Sequence, residues 1–294
     1  MAVVGCRVMA ACKSGMTKTE MRRCEELLAR HAGGERADAL KELHSLVEAV
    51  SSPIDKAGLL YHEVLWLLEL GDVPGARTRF EEMKNNLVAG GIGGLPPDSG
   101  RSDLCASLGF MALFAEASIL IAEGDKTKAL LVLEDLVLRY KKQLSLRKFS
   151  MVRGEILTRF GMLLADENRW LDAGPFLEQA APPKSWQPVH SYYLGQFYYT
   201  TRDYKKAGKK LKDSFNDSMP QQWRCLAHFM RGVCEYHLDD LEGAKREFEQ
   251  SAQCADADYI RKYNIWGWLE TICRALGMNA EAEKYHARAI QTVN

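Results

Sequence analysis

Residues 192–211 read YYLGQFYYTTRDYKKAGKKL, with five tyrosines and four lysines in twenty positions. Aromatic and basic residues this close together suit a nucleic-acid surface, a hydrophobic core, or one unit of a repeat. The rest of the chain decides among them. Residues 59–70 (LLYHEVLWLLEL) and 130–138 (LLVLEDLVL) are too long and too leucine-rich for strands, and no alternating Val/Ile/Thr segment occurs. The spacing predicts an all-α chain. Gly71 before Asp72, and Gly124 before Asp125, each suit a helix stop followed by an N-cap, because glycine tolerates the left-handed conformation and aspartate accepts free amides. Ser52 before Pro53 marks another helix start. Short helix hairpins in series result, and the quoted stretch is one of them: its first helix supplies the aromatics and its second the lysines.

Ala39, Ala76, Ala129, Ala173, Ala207, Ala244 and Ala282 mark a recurring small position in the second helices, at steps of 37, 53, 44, 34, 37 and 38 residues. Within the quoted unit, the small Gly195 and Ala207 let two helices approach while larger residues fill the gaps between them. Leu194-Gly195, Tyr198, Ala207, Leu211 and Pro220 fit the pattern W-x2-L-G-x2-Y, then A-x3-F, then P, with Ser191 in place of the tryptophan and Leu211 in place of the phenylalanine. Phe160-Gly161 with Ala173 and Leu177, Gly232 with Ala244 and Phe248, and Trp266-x2-Leu269 with Ala282 repeat it. Arg231 replaces the leucine in one unit and His286 the aromatic in another. The chain resembles a divergent tetratricopeptide-repeat (TPR) protein over nearly its full length, clearest from Arg153 onward. That resemblance implies a right-handed α-solenoid of about seven helix hairpins. Residues 1–15 are expected to be a flexible N-terminus or a mis-assigned start, 16–88 N-terminal hairpins, 89–102 a Gly/Pro-rich loop, and 103–294 TPR-like repeats.

Lysine plus arginine and aspartate plus glutamate both number 39, so no global field draws the protein to nucleic acid or anionic lipid. The eight cysteines include no C-x-x-C pair and are expected to be reduced packing residues, which points to the cytoplasm. The N-terminal MAVVGCRVMAACKSG makes a poor secretory signal. With two basic residues and no acidic one, it leaves a mitochondrial presequence as the alternative. Thr17 and Glu20 form a T-x-x-E capping box, so the first helix is expected to begin there. No apolar run reaches the roughly 18 residues of a membrane span.

Chemical motifs do not survive inspection. The glycine-rich AGGIGGLPPDSG (89–100) has Pro96 where G-x-G-x-x-G needs glycine, and no G-K-[ST] follows it. Cys225-x2-His228 and Cys234-x2-His237 have zinc-ligand spacing. On one helix, however, nine residues at about 100° each set the two cysteines on opposite faces. His62-Glu63 opens H-E-x-x-H, but Trp66 holds the second histidine position. Nucleophile and nucleotide signatures are absent, so no enzyme activity, catalytic residue, cofactor or metal is assigned. Lysines 205, 206, 209, 210 and 212 are expected to be the solvated face of a second helix. With Arg139, Lys141, Lys142, Arg147, Lys148 and Arg153 they would form the basic clusters (202–212 and 139–153) of the alternative function, a helical-repeat RNA-binding protein.

The TPR resemblance implies a scaffold or adaptor that binds another protein in a groove lined by the first helices. In that family the groove sites lie 18, 15, 11, 8 and 7 positions before the small residue. Carried onto Ala207, Ala244 and Ala282, these include Tyr192, Gln196 and Tyr199; Phe229, Val233 and Tyr236; and Asn264 and Arg274. Tyr192 with Gln196, and Phe229 with Val233, stand where chaperone-tail binders place Lys and Asn, so the carboxylate clamp is not supported. An aromatic groove suits an apolar segment or amphipathic helix of another protein, and nucleic acid is the less favoured partner.

Overall fold

A computed structural model describes residues 16–92, 103–145, 150–182, 184–217, 219–254 and 256–293, and every described element is helical. The helices are α1 (Lys18–Ala32), α2 (Arg36–Ala49), α3 (Pro53–Glu69), α4 (Val73–Ala89), α5 (Asp103–Ala122), α6 (Lys126–Arg139), α7 (Lys141–Leu144) and α8 (Ser150–Asp166). They continue as α9 (Trp170–Gln179), α10 (Gln187–Thr200), α11 (Tyr204–Asp213), α12 (Gln221–His237), α13 (Leu241–Cys254), α14 (Ala257–Tyr263), α15 (Ile265–Ala275) and α16 (Asn279–Val293). In α1/α2, α3/α4, α5/α6, α10/α11, α12/α13 and α15/α16 the two members pack on each other. In chain order α8 and α9 stand as a seventh couple between them. The chain divides into two compact units, Met1–Leu163 and Leu164–Asn294. Helices α4 and α5, which flank the expected loop at 89–102, pack together within the first unit; residues 93–102 of that loop, like residues 1–15, lie outside the described residues. No described helix is long and apolar enough to cross a membrane.

One turn recurs between the members of every pair. The first helix ends at a residue with positive φ: Gly34, Gly71, Gly124, Asn168, Arg202, Asp239 or Gly277. The next N–H then donates to a carbonyl five residues back: Glu35 to Arg30, Asp72 to Leu67, Asp125 to Leu120, Arg169 to Leu164, Asp203 to Tyr198, Asp240 to Glu235 and Met278 to Cys273. This is the Schellman stop, which satisfies carbonyls left over at the helix end. In four of the turns that next residue is an aspartate whose carboxylate caps the second helix: Asp72 accepts from Gly75 N–H, Asp125 from Lys128, Asp203 from Lys206 and Asp240 from Gly243. Such caps stabilise by about 1 kcal/mol each. At the start of the fold, Thr17 and Glu20 make both bonds of the expected capping box.

The turn fixes the phase of the second helix, and the small residue follows from it. Ala39, Ala76, Ala129, Ala173, Ala207, Ala244 and Ala282 are each the fourth residue of a second helix, five positions after the positive-φ residue. All seven are 0% exposed. Four residues further on, Leu43, Phe80, Leu133, Leu177, Leu211 and Phe248 are buried as well, while His286 in the last pair is exposed. A Cβ added to Gly195 would lie 2.7 Å from Leu211 Cγ, and one added to Gly232 would lie 2.9 Å from Phe248. The first helices approach the second that closely because these positions carry no side chain.

Arg202 holds a left-handed conformation (φ 63°) without the Asn or Asp side chain that eases it. Arg202→Gly is expected to stabilise the protein by about 0.5–1 kcal/mol, after subtracting glycine's extra unfolded-state entropy. Urea unfolding at fixed pH should show a higher midpoint, and an unchanged or lower one would contradict the turn geometry.

Candidate functional site

The eight expected partner-contacting residues all fall in the second unit, on α10, α12, the α14/α15 junction and α15, and they divide by depth. Tyr192 is 3% exposed, stacked on Trp223 with ring centroids 4.7 Å apart. Phe229 is 8% exposed, packed against Phe248 at 5.7 Å and Tyr263 at 4.8 Å. Val233 is also buried. These three are interior residues of the repeat packing and present no free surface. Gln196, Tyr199 and Tyr236 are half-buried, and Asn264 and Arg274 are exposed. Tyr236 meets Trp268 edge-on at 5.3 Å. Arg274 is held at 3.1 Å by Glu270 on its own helix and by Glu283 on α16. Asn264 takes a left-handed conformation (φ 48°) where α14 gives way to α15.

The reason lies in a shared position. Fifteen residues before six of the seven buried alanines stand Cys24, Tyr61, Phe114, Thr158, Tyr192 and Phe229, all 8% exposed or less, while Gly267, fifteen before Ala282, is half-buried. In the first six pairs that position is core. Eight residues before Ala207 and Ala244 stand Tyr199 and Tyr236, which keep an outer surface. Burial raises the pKa of Tyr199, and of Tyr192 more strongly, so both phenols stay protonated at neutral pH. The half-buried Gln196, Tyr199 and Tyr236 include no acidic or basic side chain. His237 beside it stacks on Tyr204 at 4.2 Å.

The basic clusters are partly neutralised. Lys206 pairs with Asp203 at 2.9 Å and lies over the Tyr198 ring, and Arg139 pairs with Asp135 at 2.7 Å. Lys205, Lys209 and Lys212 are exposed on α11. Arg147 and Lys148 lie outside the described residues.

Both Cys-x2-His pairs fall on the continuous α12. His228 bonds Glu247 at 2.8 Å, and Cys234 is buried with its thiol pushed up to about 12. Among the described residues no cluster of three His, Cys, Asp or Glu could hold a metal. The expectation that the cysteines are reduced packing residues needs correcting. Cys24, Cys234 and Cys273 are buried free thiols, but Cys225 and Cys254 are joined as a disulfide between α12 and α13. Their 29-residue separation gave no sequence signal. His62 is buried, and loss of solvent lowers its pKa to about 4. Glu63 is buried too and pairs with His44 at 2.9 Å and Arg79 at 3.1 Å.

Sequence reasoning missed a buried polar cluster in the first unit. Glu155 and Arg159, one turn apart on α8, look like an ordinary surface pair, yet Glu155 is 3% exposed. The Arg159 guanidinium donates to Ser118 Oγ at 2.7 Å and lies 4.9 Å from the Phe114 ring centroid. Burial raises the Glu155 pKa, with Arg159 opposing the rise. The flanking Ile156, Leu157 and Phe160, all apolar and buried, were the signal available in the sequence.

No protein-family model and no curated protein matches this chain. Among solved structures, it is similar to a Signal Transduction ATPase with Numerous Domains protein with a tetratricopeptide repeat sensor, from Pyrococcus horikoshii. That match has a TM-score of 0.56 and 12% identity, and covers 92% of this chain and 41% of that one. The fold is the tetratricopeptide-repeat fold. Two other TPR-fold matches are weaker. The C-terminal part of a TPR repeat-containing protein from Cytophaga hutchinsonii has a TM-score of 0.47 at 16% identity, covering 90% of this chain and 96% of that one. MamA has a TM-score of 0.46 at 14% identity, covering 62% and 91%.

The depth difference within the TPR face is measurable. Tyr192→Ala should cost about 3 kcal/mol or more of stability, as buried aromatic truncations do, whereas Tyr199→Ala should cost about 1 kcal/mol. Denaturant midpoints for the two variants should separate clearly, and equal losses would contradict the assigned depths.

Proposed function

We propose that the protein is a non-enzymatic interaction scaffold whose first-helix face, at Gln196, Tyr199 and Tyr236, binds an apolar segment or amphipathic helix of another protein. The supporting observation is the two half-buried tyrosines eight positions before Ala207 and Ala244. Tyrosine there offers area, few torsions to freeze and a hydroxyl for hydrogen bonding. The row carries no formal charge, which suits an apolar ligand and gives nothing to a phosphate backbone. Asn264 and Arg274 supply a polar margin, with Arg274 already engaged by Glu270 and Glu283. Tyr192, Phe229 and Val233 hold this face in place from beneath.

Affinity purification with the full chain, with and without nuclease, should recover a protein partner that survives both nuclease and moderate salt. A Tyr199→Ala, Tyr236→Ala double variant should weaken that capture by about 2 kcal/mol, roughly thirtyfold, with a small change in melting temperature. Full retention of the partner by a normally melting double variant would place binding elsewhere. Loss of the partner on nuclease treatment would favour nucleic acid.

A further inference from the structure

Cys225 lies near the start of α12 and Cys254 is the last residue of α13, so they meet at the open end of this hairpin, remote from its Asp239 turn. Their Cα atoms are 5.6 Å apart, within the roughly 4.4–6.8 Å that a disulfide spans. Other bonds hold that separation. Ser251 Oγ donates to the Cys225 carbonyl at 2.9 Å, and Gln221 Nε2 donates to the Cys254 carbonyl at 2.8 Å. Ser251 is fully buried, so the first of these bonds is shielded from water. The pair is thus pre-positioned by the hairpin itself.

A cleft of about 370 Å³ opens beside the pair, bounded by both cysteines together with Gln221, Gln222, Asp256 and Tyr259. Of the two lining cysteines, Cys254 is half-buried and Cys225 is 2% exposed. Cys254 is thus the more accessible residue of the two. Cys234 and Cys273 of the same unit are fully buried, which keeps them inert.

We propose that Cys225 and Cys254 are a reversible redox site, oxidised by a low-molecular-weight disulfide of the glutathione class. Cys254, as thiolate, attacks one sulfur of the small disulfide; a mixed disulfide forms and one small thiolate leaves. Cys225, as thiolate, then attacks the Cys254 sulfur, closing the intramolecular disulfide and expelling the second small thiolate. Two electrons pass from the protein dithiol to the small disulfide, and the two cysteine protons end on the two small thiols. The product fastens the end of α13 to the start of α12, three residues before the first residue of α14. The site is independent of the proposed partner face.

The test equilibrates the full chain in graded ratios of reduced to oxidised glutathione, quenches it with an alkylating reagent, and identifies peptides by mass spectrometry. As the oxidised fraction rises, the Cys225 and Cys254 peptides should become linked, with the loss of two hydrogens, and dithiothreitol should release them. Cys24, Cys234 and Cys273 should stay unlinked. Cys225→Ser should trap one glutathione on Cys254, and Cys254→Ser should abolish the link. The wild-type arm stands on its own if either variant fails to fold. The proposal is overturned if both cysteines remain alkylatable at every ratio while the helical circular dichroism is unchanged. It is equally overturned if links to other cysteines form in comparable yield.

Discussion

A methyl group set against a neighbouring helix is the contact on which this structure depends. Seven alanines, each the fourth residue of a second helix, are sealed from solvent, and in the α10/α11 and α12/α13 pairs Gly195 and Gly232 admit the facing Leu211 and Phe248. Larger side chains at such positions would force the helices apart, at about 1–3 kcal/mol per site. What places each alanine is local: a left-handed residue stops the first helix, its successor bonds back five residues, and the second helix starts in a fixed phase. Pair geometry is therefore set by turn chemistry before any distant contact forms.

The same phase decides which first-helix residues are covered and which stay half-open. Tyr192 and Tyr199 are seven residues apart on α10, as Phe229 and Tyr236 are on α12. Two helical turns carry seven residues to within about 20° of the same direction, so each couple shares one stripe of its helix. Depth along the stripe separates them. Tyr192 lies against Trp223 and Phe229 against Tyr263, whereas Tyr199 and Tyr236 lie two turns nearer the hairpin turn and stay half-open. If this face binds a partner as proposed, a sealed aromatic floor beneath half-open tyrosines would lower the ordering cost of binding.

The hairpin series was legible in the sequence because its determinants are local. Gly71-Asp72 and Gly124-Asp125 announce their turns, Thr17 and Glu20 announce the first cap, and the alanine spacing carries the register from Ala39 to Ala282. Depth was not legible, because it depends on which neighbour covers a side chain. The family's groove offsets point to Tyr192 and Tyr199 alike, and only the position of Trp223 tells them apart. Glu155 with Arg159, and Cys225 with Cys254, escaped for a similar reason: the first pair is spaced like a solvated one, and the second is joined by tertiary packing across 29 residues. Asn168, Arg202 and Asp239 hide three turns from a glycine search, since the backbone there takes positive φ without glycine.

The central claim, that buried alanines in phase with the turns hold the helix pairs together, is tested most directly by enlarging them one at a time. Ala207→Leu and Ala244→Leu should each lower stability by about 2 kcal/mol or more in denaturant unfolding. Lys209→Leu and Arg246→Leu, two residues on along the same helices and exposed, should change it by less than about 0.5 kcal/mol. Equal effects at the alanine and exposed positions would contradict the account.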